Sequence, residues 1–175
     1  MKTLLLTTTL LIATVFSVNA MADSGDKVYS ANQFAVLKTY SEINRIESNY
    51  DKASSKLAEV IGVMATTKNK SKSNINKLNK EFLTQSKIID KILAASDNLE
   101  TPLVTDAEVS PHLTNAVLLH KQWAKMQSKK LIAFLGGDMD STEQYRLSAD
   151  EIGHKEAQAL VSAYVAAGIT PDDHI

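Results

Sequence analysis

The sequence predicts an all-α protein, an antiparallel up-down four-helix bundle with a long first helix, preceded by a cleavable signal peptide. Apolar residues recur at steps of three and four along four long segments, as they do in amphipathic helices. Glycine and proline fall mostly between those segments, where they end helices. No segment alternates apolar and polar residues in the manner of a strand.

The composition is that of a single globular domain. With 175 residues, 44% of them hydrophobic and 22% charged, the chain is long enough to build one core. The formal net charge of -1 provides no basic footprint, so we expect no nucleic-acid partner. Because the chain has no cysteine, its stability must come from packing, and a lipid-attachment thiol is excluded.

Residues 1–22 have the pattern of a secretory signal peptide. Lys2 supplies a positive charge, and residues 4–18 are apolar apart from threonines and one serine. Residues 20–22 form a small-x-small pattern, so we expect cleavage after Ala22, with a rival site two residues earlier. The apolar run of about 15 residues is short for a membrane anchor. Export to a bacterial periplasm is therefore expected, with full secretion as the alternative.

The first helix organises the predicted bundle. It follows a flexible lead-in over residues 23–30 and covers residues 31–67, which contain no proline and only one glycine, Gly62. Its apolar face consists of Val36, Ile43, Ile46, Tyr50, Ala53, Leu57, Val60 and Met64. A helix of this length needs long partners beside it to bury that face.

The second and third helices follow from the same periodicity. A polar, lysine-rich turn leads into a second helix over residues 71–97, whose inner face is interrupted at Ser86 and Ser96. A longer break ends at Ser110, a favoured helix cap, and proline follows it at the first helical position. The third helix is predicted over residues 111–135, and two glycines then end it.

The fourth helix is predicted over residues 141–167. Asp140, with Glu143 three residues later, resembles a capping box at its start. The bundle domain therefore covers residues 31–168, and residues 169–175 form a C-terminal tail. Two short connections and one longer one favour an arrangement in which successive helices run in opposite directions.

Two helical wheels place polar side chains inside the predicted core. His120 lies at the centre of the apolar face of the third helix, with Gln127 nearby, and Glu156 lies within the apolar face of the fourth helix. If the intervening turn centres near Asp138, His120 and Glu156 are level with each other. Tyr50 falls near the same level, as does Ser86. The sequence thus predicts an internal polar cluster of Tyr50, His120, Gln127 and Glu156.

Three interpretations of this cluster remain open. The first is that the cluster fixes the register of the helices. The second is that it senses a ligand or pH. The third is that it ligates a metal or haem. A haem clamp would need two inward axial ligands, and only His120 qualifies. Glu151 and His154 have the Glu-x-x-His spacing of di-iron bundles, but His154 falls on the outward side and the third helix contains no acidic residue.

The sequence contains no pattern that indicates catalysis. A Gly-x-Ser-x-Gly elbow, a cysteine nucleophile, a His-Glu-x-x-His helix and a glycine-rich phosphate loop are all missing from the chain. We therefore expect a non-enzymatic protein without a catalytic residue, a cofactor or a dedicated metal site.

Two surfaces are candidates for contact with other molecules. The first is an outward stripe on the fourth helix, the candidate partner face, which consists of Leu147, His154, Val161 and Val165. The second is a lysine-rich region, the candidate contact with an anionic membrane surface, which consists of Lys68, Lys70, Lys72, Lys77 and Lys80.

These features favour an exported helical bundle that binds another macromolecule, as a chaperone, an adaptor or an inhibitor (immunity-like) protein does. The expected partner is another protein of the bacterial envelope or a secreted protein, and a homodimer or peripheral membrane contact is compatible with the two surfaces. The alternative function is the binding of a small ligand, a metal or haem at the internal His-Glu-Tyr cluster.

Overall fold

The computed structural model describes residues 29–67 and 71–170. In these ranges the chain forms helices and no strand, which confirms the prediction of an all-helical protein. The helices are α1 (Ala31–Thr66), α2 (Lys72–Asp97), α3 (Val109–Leu135) and α4 (Met139–Ala166). None of these four described helices is both long enough and apolar enough to cross a bilayer. The predicted signal peptide lies outside the described residues, as do Lys68, Lys70 and most of the lead-in and tail.

α1 begins with a capping box that ties down its first turn. The backbone N–H of Gln33 donates to Ser30 Oγ over 3.2 Å, and the backbone N–H of Ser30 donates to Gln33 Oε1 over 3.0 Å. The helix then continues for 36 residues. Its predicted apolar face is buried from Val36 to Val60, whereas Met64, in the last turn, is 39% exposed.

The start of α3 differs from the sequence prediction. The helix begins two residues earlier than expected, at Val109, and Ser110 is not its cap. Instead, Asp106 Oδ1 accepts hydrogen bonds from the backbone N–H groups of Glu108, over 2.8 Å, and of Val109, over 3.2 Å. A carboxylate upstream thus satisfies backbone amides that lie before the ones that Ser110 would have capped.

The start of α4 is also displaced, and the predicted capping residue is wrong. Asp138, not Asp140, is the cap, and its Oδ1 accepts from the backbone N–H of Ser141 over 3.0 Å. Glu143 does not reach back to the cap. Its carboxylate binds Arg146 over 2.7 Å instead.

Glycine ends both α3 and α4 through the same backbone motif. Gly137 has φ +77°, and hydrogen bonds of 3.0 Å run from its N–H to Phe134 O and from Asp138 N–H to Ala133 O. Gly168 has φ +65° and repeats this arrangement, which turns Ile169 back onto the helix. Ile169, assigned to the tail from the sequence, is only 6% exposed and belongs to the core.

The helices form a bundle in which, among the described residues, every pair is in contact except α2 with α4. The core contains three apolar clusters. One lies around Val36 and Leu113, one around Ile43 and Val117, and one around Leu57 and Leu131. A set of buried polar residues lies between the second and third of these clusters, and it is the most unusual feature of the core.

Candidate functional site

Each of the four helices contributes one polar side chain to a single layer of the core, which we call the polar layer. Its members are Glu47 of α1, Ser96 of α2, His120 of α3 and Glu156 of α4. Every member has core residues three or four positions before and after it, such as Ile43 and Tyr50 around Glu47. Helical periodicity therefore turns Ser96, His120 and Glu156 into the core, and it places Glu47 at the edge of the apolar face of α1.

His120 is the centre of the polar layer. Its side chain is fully buried, and its Nδ1 lies 3.2 Å from Glu156 Oε1. On the opposite edge of the ring, Nε2 lies 3.2 Å from the hydroxyl of Ser96. Trp123 stacks on the imidazole with the ring centroids 5.3 Å apart and the planes 19° from parallel. Both ring nitrogens and one ring face are thus held, so the orientation of the imidazole is fixed.

Glu156 brings a carboxylate into the same buried volume. The residue is 2% exposed, so it is almost completely removed from solvent. Its Oε1 lies within hydrogen-bond distance of His120 Nδ1, at 3.2 Å. Its second oxygen, Oε2, is buried without a hydrogen-bond partner in the part of the chain that the structure describes. A buried acceptor without a partner is costly, and it marks a place where a cation would be stabilised.

Glu47 completes a group of three side chains with metal-ligating atoms. One donor atom each from Glu47, His120 and Glu156 lie within 4.8 Å of one another. Burial, the negative charge of Glu156 and the negative charge of Asp51 together raise the pKa of Glu47 to about 8. Glu47 is partly buried whereas the other two donors are buried, so solvent reaches the group from the side of α1.

The predicted cluster of Tyr50, His120, Gln127 and Glu156 is divided into two hydrogen-bonded pairs. His120 pairs with Glu156, whereas the hydroxyl of Tyr50 donates to Gln127 Oε1 over 2.7 Å. Trp123 connects the two pairs. Its ring contacts the ring of Tyr50 edge to face, with the centroids 5.2 Å apart, and it stacks on the ring of His120. Tyr50 and Gln127 therefore support the polar layer without entering the group of three donors.

Sequence reasoning missed Glu47 and Trp123 and did not assign Ser96 to the cluster. Glu47 follows Ile46 directly, and its spacing of four from Ile43 and three from Tyr50 was the available signal. Ser86, which was expected near the level of the cluster, is not part of it. Its hydroxyl donates to the backbone carbonyl of Phe82 over 3.0 Å.

The other histidine and glutamate motif on α4 has no ligand geometry. Glu151 and His154 are both exposed, and the carboxylate of Glu151 binds Lys155 over 2.6 Å. Within the described residues, the only group of three candidate ligands is Glu47, His120 and Glu156. This agrees with the outward placement of His154 on the helical wheel.

The two candidate surfaces are solvent-exposed where the structure describes them. On the partner face, Leu147 is 54%, Val161 53% and Val165 72% exposed, and His154 is exposed beside them. Lys72, Lys77 and Lys80 are exposed near the start of α2.

The fold and the site together define a four-helix bundle with a buried imidazole and two carboxyl groups at its centre. No family model matches the chain, and neither a curated protein nor a solved structure matches it. The geometry of the chain itself is therefore the guide to its function.

Proposed function

We propose that this chain is an exported, non-enzymatic four-helix bundle that binds a divalent metal ion in its core through Glu47, His120 and Glu156. The observation that carries the proposal is the convergence of three donor atoms, from three different helices, within 4.8 Å. Imidazole nitrogen and carboxylate oxygen are common ligands of divalent metals in proteins.

The balance of charge in the polar layer supports this proposal. Two carboxyl groups face a single imidazole there. Burial and the charge of Glu156 raise the pKa of Glu47 to about 8, so without a cation Glu47 keeps a proton rather than adding a second negative charge to the interior. A divalent cation neutralises both carboxylates while the imidazole stays neutral, as a metal ligand must be. The cation also supplies a partner for Glu156 Oε2, which is otherwise buried without one among the described residues.

A haem group fits this site less well than a single ion. Both ring nitrogens of His120 already have partners within 3.2 Å, and Trp123 covers one face of its ring. A macrocycle needs a wide apolar slot beside its axial nitrogen, whereas an ion needs only the space between donors. The contacts of His120 therefore favour the ion.

We further infer the up-down antiparallel order of the helices from the way residue numbers pair across the core. Val36 shares a cluster with Leu113, and Tyr50 is hydrogen-bonded to Gln127. Residue numbers therefore increase in the same direction along α1 and α3, so these two helices are parallel. Ala163 shares a cluster with Leu113, whereas Glu156 pairs with His120. Residue numbers therefore decrease along α4 as they increase along α3, so α4 is antiparallel to α3. In that order, two short turns and one long connection join neighbouring helices.

The signal pattern in residues 1–22 supports a periplasmic or secreted location for the mature protein. A single internal site reached from one side fits a protein that buffers, carries or senses a metal ion in the bacterial envelope. The lack of a nucleophile or phosphate-loop motif in the sequence supports binding rather than turnover.

The proposal is tested by metal titration of the purified mature protein after removal of bound ions with a chelator. We expect one divalent ion per chain and a rise in melting temperature, because an ion that binds only the folded state stabilises it. Glu47→Gln, which keeps the shape of a partly buried side chain, should abolish most of the binding. His154→Ala removes an exposed histidine of α4 and is the matched control. No binding of any divalent ion, with the bundle folded, overturns the proposal and leaves the polar layer as a register-fixing cluster.

Binding of another macromolecule is a second candidate function, favoured by the exposure of the partner face. Three aliphatic side chains of this face, Leu147, Val161 and Val165, are each more than half exposed on a single helix. A chaperone, an adaptor or an inhibitor of a secreted protein would use such a surface. The same surface would serve a homodimer.

This second function is tested by solution mass and by capture of partners from an envelope extract. Val161→Asp should abolish the captured interaction or the dimer, because it places a charge in the centre of the face. Glu151→Lys alters charge on the same exposed helix without touching its aliphatic side chains and is the control. Binding that is unchanged by Val161→Asp removes the partner face from consideration.

A further inference from the structure

Resting on the proposed metal-binding function, we infer that the ion is a transition-metal ion of the zinc class, bound by His120 through Nδ1, and that Ser96 is the positioning residue for this imidazole. The inference concerns the chemistry of the ion and the role of a residue of α2, which supplies none of the three ligands. It follows from the number of donors, their chemical type and the contacts of the imidazole ring.

The number and type of donors favour zinc-class ions over calcium. Calcium takes six to eight oxygen ligands, many of them backbone carbonyls. Glu47, His120 and Glu156 all lie within helices. Backbone carbonyls in the interior of a helix are engaged in its own hydrogen bonds and are not free to bind an ion. The three side chains offer at most four oxygens and one nitrogen, too few for calcium.

The nitrogen donor also disfavours magnesium. Magnesium prefers oxygen ligands in a near-ideal octahedron and retains several waters. Zinc accepts imidazole and carboxylate together in a four-coordinate site with three protein ligands. Two donors on a tetrahedral zinc, each about 2.1 Å from it, lie about 3.4 Å apart. His120 Nδ1 and Glu156 Oε1, at 3.2 Å, already have this spacing. Glu47, the most solvent-accessible of the three, has to move towards them.

The ring of His120 presents Nδ1 to the ion because Nε2 faces Ser96. Nδ1 lies 3.2 Å from the carboxylate of Glu156, on the side of the ring where the other two candidate ligands are. When an ion binds Nδ1, the remaining ring proton must lie on Nε2, from which it donates to Ser96 Oγ across 3.2 Å. A serine hydroxyl both donates and accepts, so Ser96 satisfies the imidazole in either tautomer.

Ser96 therefore has the position of an outer-shell partner of a metal-binding histidine. Such partners fix the tautomer and the ring orientation, and their loss typically weakens metal affinity by about 10–100-fold. Ser96 is fully buried and lies between Leu93 and Leu99, where an alanine would be a more ordinary core residue. A hydroxyl at that position is explained by the imidazole that it contacts.

The test compares Ser96→Ala with Ser86→Ala, a matched control on the same helix. Both serines are buried, but the hydroxyl of Ser86 donates to the backbone carbonyl of Phe82 on its own helix and not to a side chain of the polar layer. Cobalt(II), which replaces zinc and absorbs visible light, reports the affinity and the coordination geometry. We expect Ser96→Ala to weaken cobalt binding by about 10–100-fold and to alter its visible spectrum, and Ser86→Ala to change neither.

Two further measurements complete the test. A millimolar excess of magnesium or calcium should fail to displace cobalt, whereas zinc should displace it. Nitrogen-15 NMR of the zinc-loaded protein should show the His120 proton on Nε2, a readout that a general loss of packing does not produce.

Tight binding of magnesium or calcium in place of zinc overturns the inference while the proposed function stands. Equal effects of the two serine variants overturn the role of Ser96. If no ion binds, the proposed function itself fails.

Discussion

Two pairs of histidine and glutamate involve α4: one lies on α4 alone, and the other joins α4 to α3. The two pairs differ in their separation along the chain, in burial and in their contacts. Glu151 and His154 are three residues apart on one helix, both exposed, and Glu151 binds Lys155. His120 and Glu156 are 36 residues apart, on two helices, and both are buried in contact with each other. Glu151 and His154 have a recognised metal-binding spacing along the sequence, whereas His120 and Glu156 have side-chain atoms that converge in the core.

The difference shows that register between helices, rather than spacing along one helix, brings the candidate ligands together here. A Glu-x-x-His pair binds metal only if its helix face points into the core and other ligands face it. In this bundle the inward face of α4 carries Glu156, and α1, α2 and α3 each supply a polar side chain at its level. The surface pair has no such neighbours among the described residues.

The largest expected effect comes from breaking the buried pair. His120→Ala or Glu156→Ala should lower the free energy of unfolding by about 1–3 kcal/mol, because each leaves the other partner buried without its hydrogen bond. His154→Ala, at the exposed position, should change it by less than about 0.5 kcal/mol. Urea denaturation of the metal-free proteins measures the free energy of unfolding of the parent and of the three variants. A neutral result for both core variants would mean that the pair does not form in solution.

A pH-dependent effect is expected at Glu47. Its folded-state pKa of about 8 lies above the value of 4.5 for an unperturbed carboxyl, so the folded state retains a proton that the unfolded state releases. The free energy of unfolding of the metal-free protein should therefore fall as pH rises from about 4.5 to about 8. Glu47→Gln should remove this fall and be more stable than the parent at pH 8, by on the order of 1 kcal/mol after allowance for solvent screening.

Thermal denaturation of the two proteins at several pH values measures this difference. The nearby carboxylate of Asp51, whose pKa burial also raises, is present in both proteins, and its repulsion of Glu47 is part of the measured difference. Parallel curves for the parent and Glu47→Gln would show that Glu47 does not lie against the buried carboxylate of Glu156.

A smaller effect is expected at the second polar pair. Tyr50→Phe should lower the free energy of unfolding by about 0.5–1.5 kcal/mol, because it removes the 2.7 Å hydrogen bond to Gln127 and keeps the aromatic packing on Trp123. It should leave metal affinity almost unchanged, since neither residue is among the three donors. Tyr145→Phe, at a partly exposed tyrosine of α4, is the control. A large loss of metal affinity in Tyr50→Phe would place the phenol in the site.

The smallest effect is expected at the surface pair. Glu151→Gln removes an ion pair with Lys155 that is exposed to solvent on both sides. Exposed ion pairs contribute little because water screens them. We therefore expect no measurable change in stability or in metal binding. A loss of metal binding in this variant would move the site from the core to the surface of α4.

The number of helices and their approximate extent could be predicted because periodicity and helix-ending glycines are local signals. The first turns of α3 and α4 could not, since Asp106 and Asp138 cap amides that lie upstream of those that Ser110 and Asp140 would have capped.

The polar layer could be predicted only in part. His120 and Glu156 interrupt apolar faces at their centres, and a short hairpin fixes their relative level, so the sequence placed them opposite each other. Glu47 lies beside the apolar face of α1 and resembles an ordinary solvent-facing glutamate. Its inward position depends on how α1 is rotated against α3 and α4, which is a property of the whole bundle and not of a local pattern.

The most direct test of the metal site is anomalous X-ray scattering from crystals of the mature protein grown with zinc. We expect one strong peak between the side chains of Glu47, His120 and Glu156, with Nδ1 of His120 as the nitrogen ligand. Peaks confined to exposed side chains, such as His112 or His154, with the core pair still hydrogen-bonded directly, would contradict it.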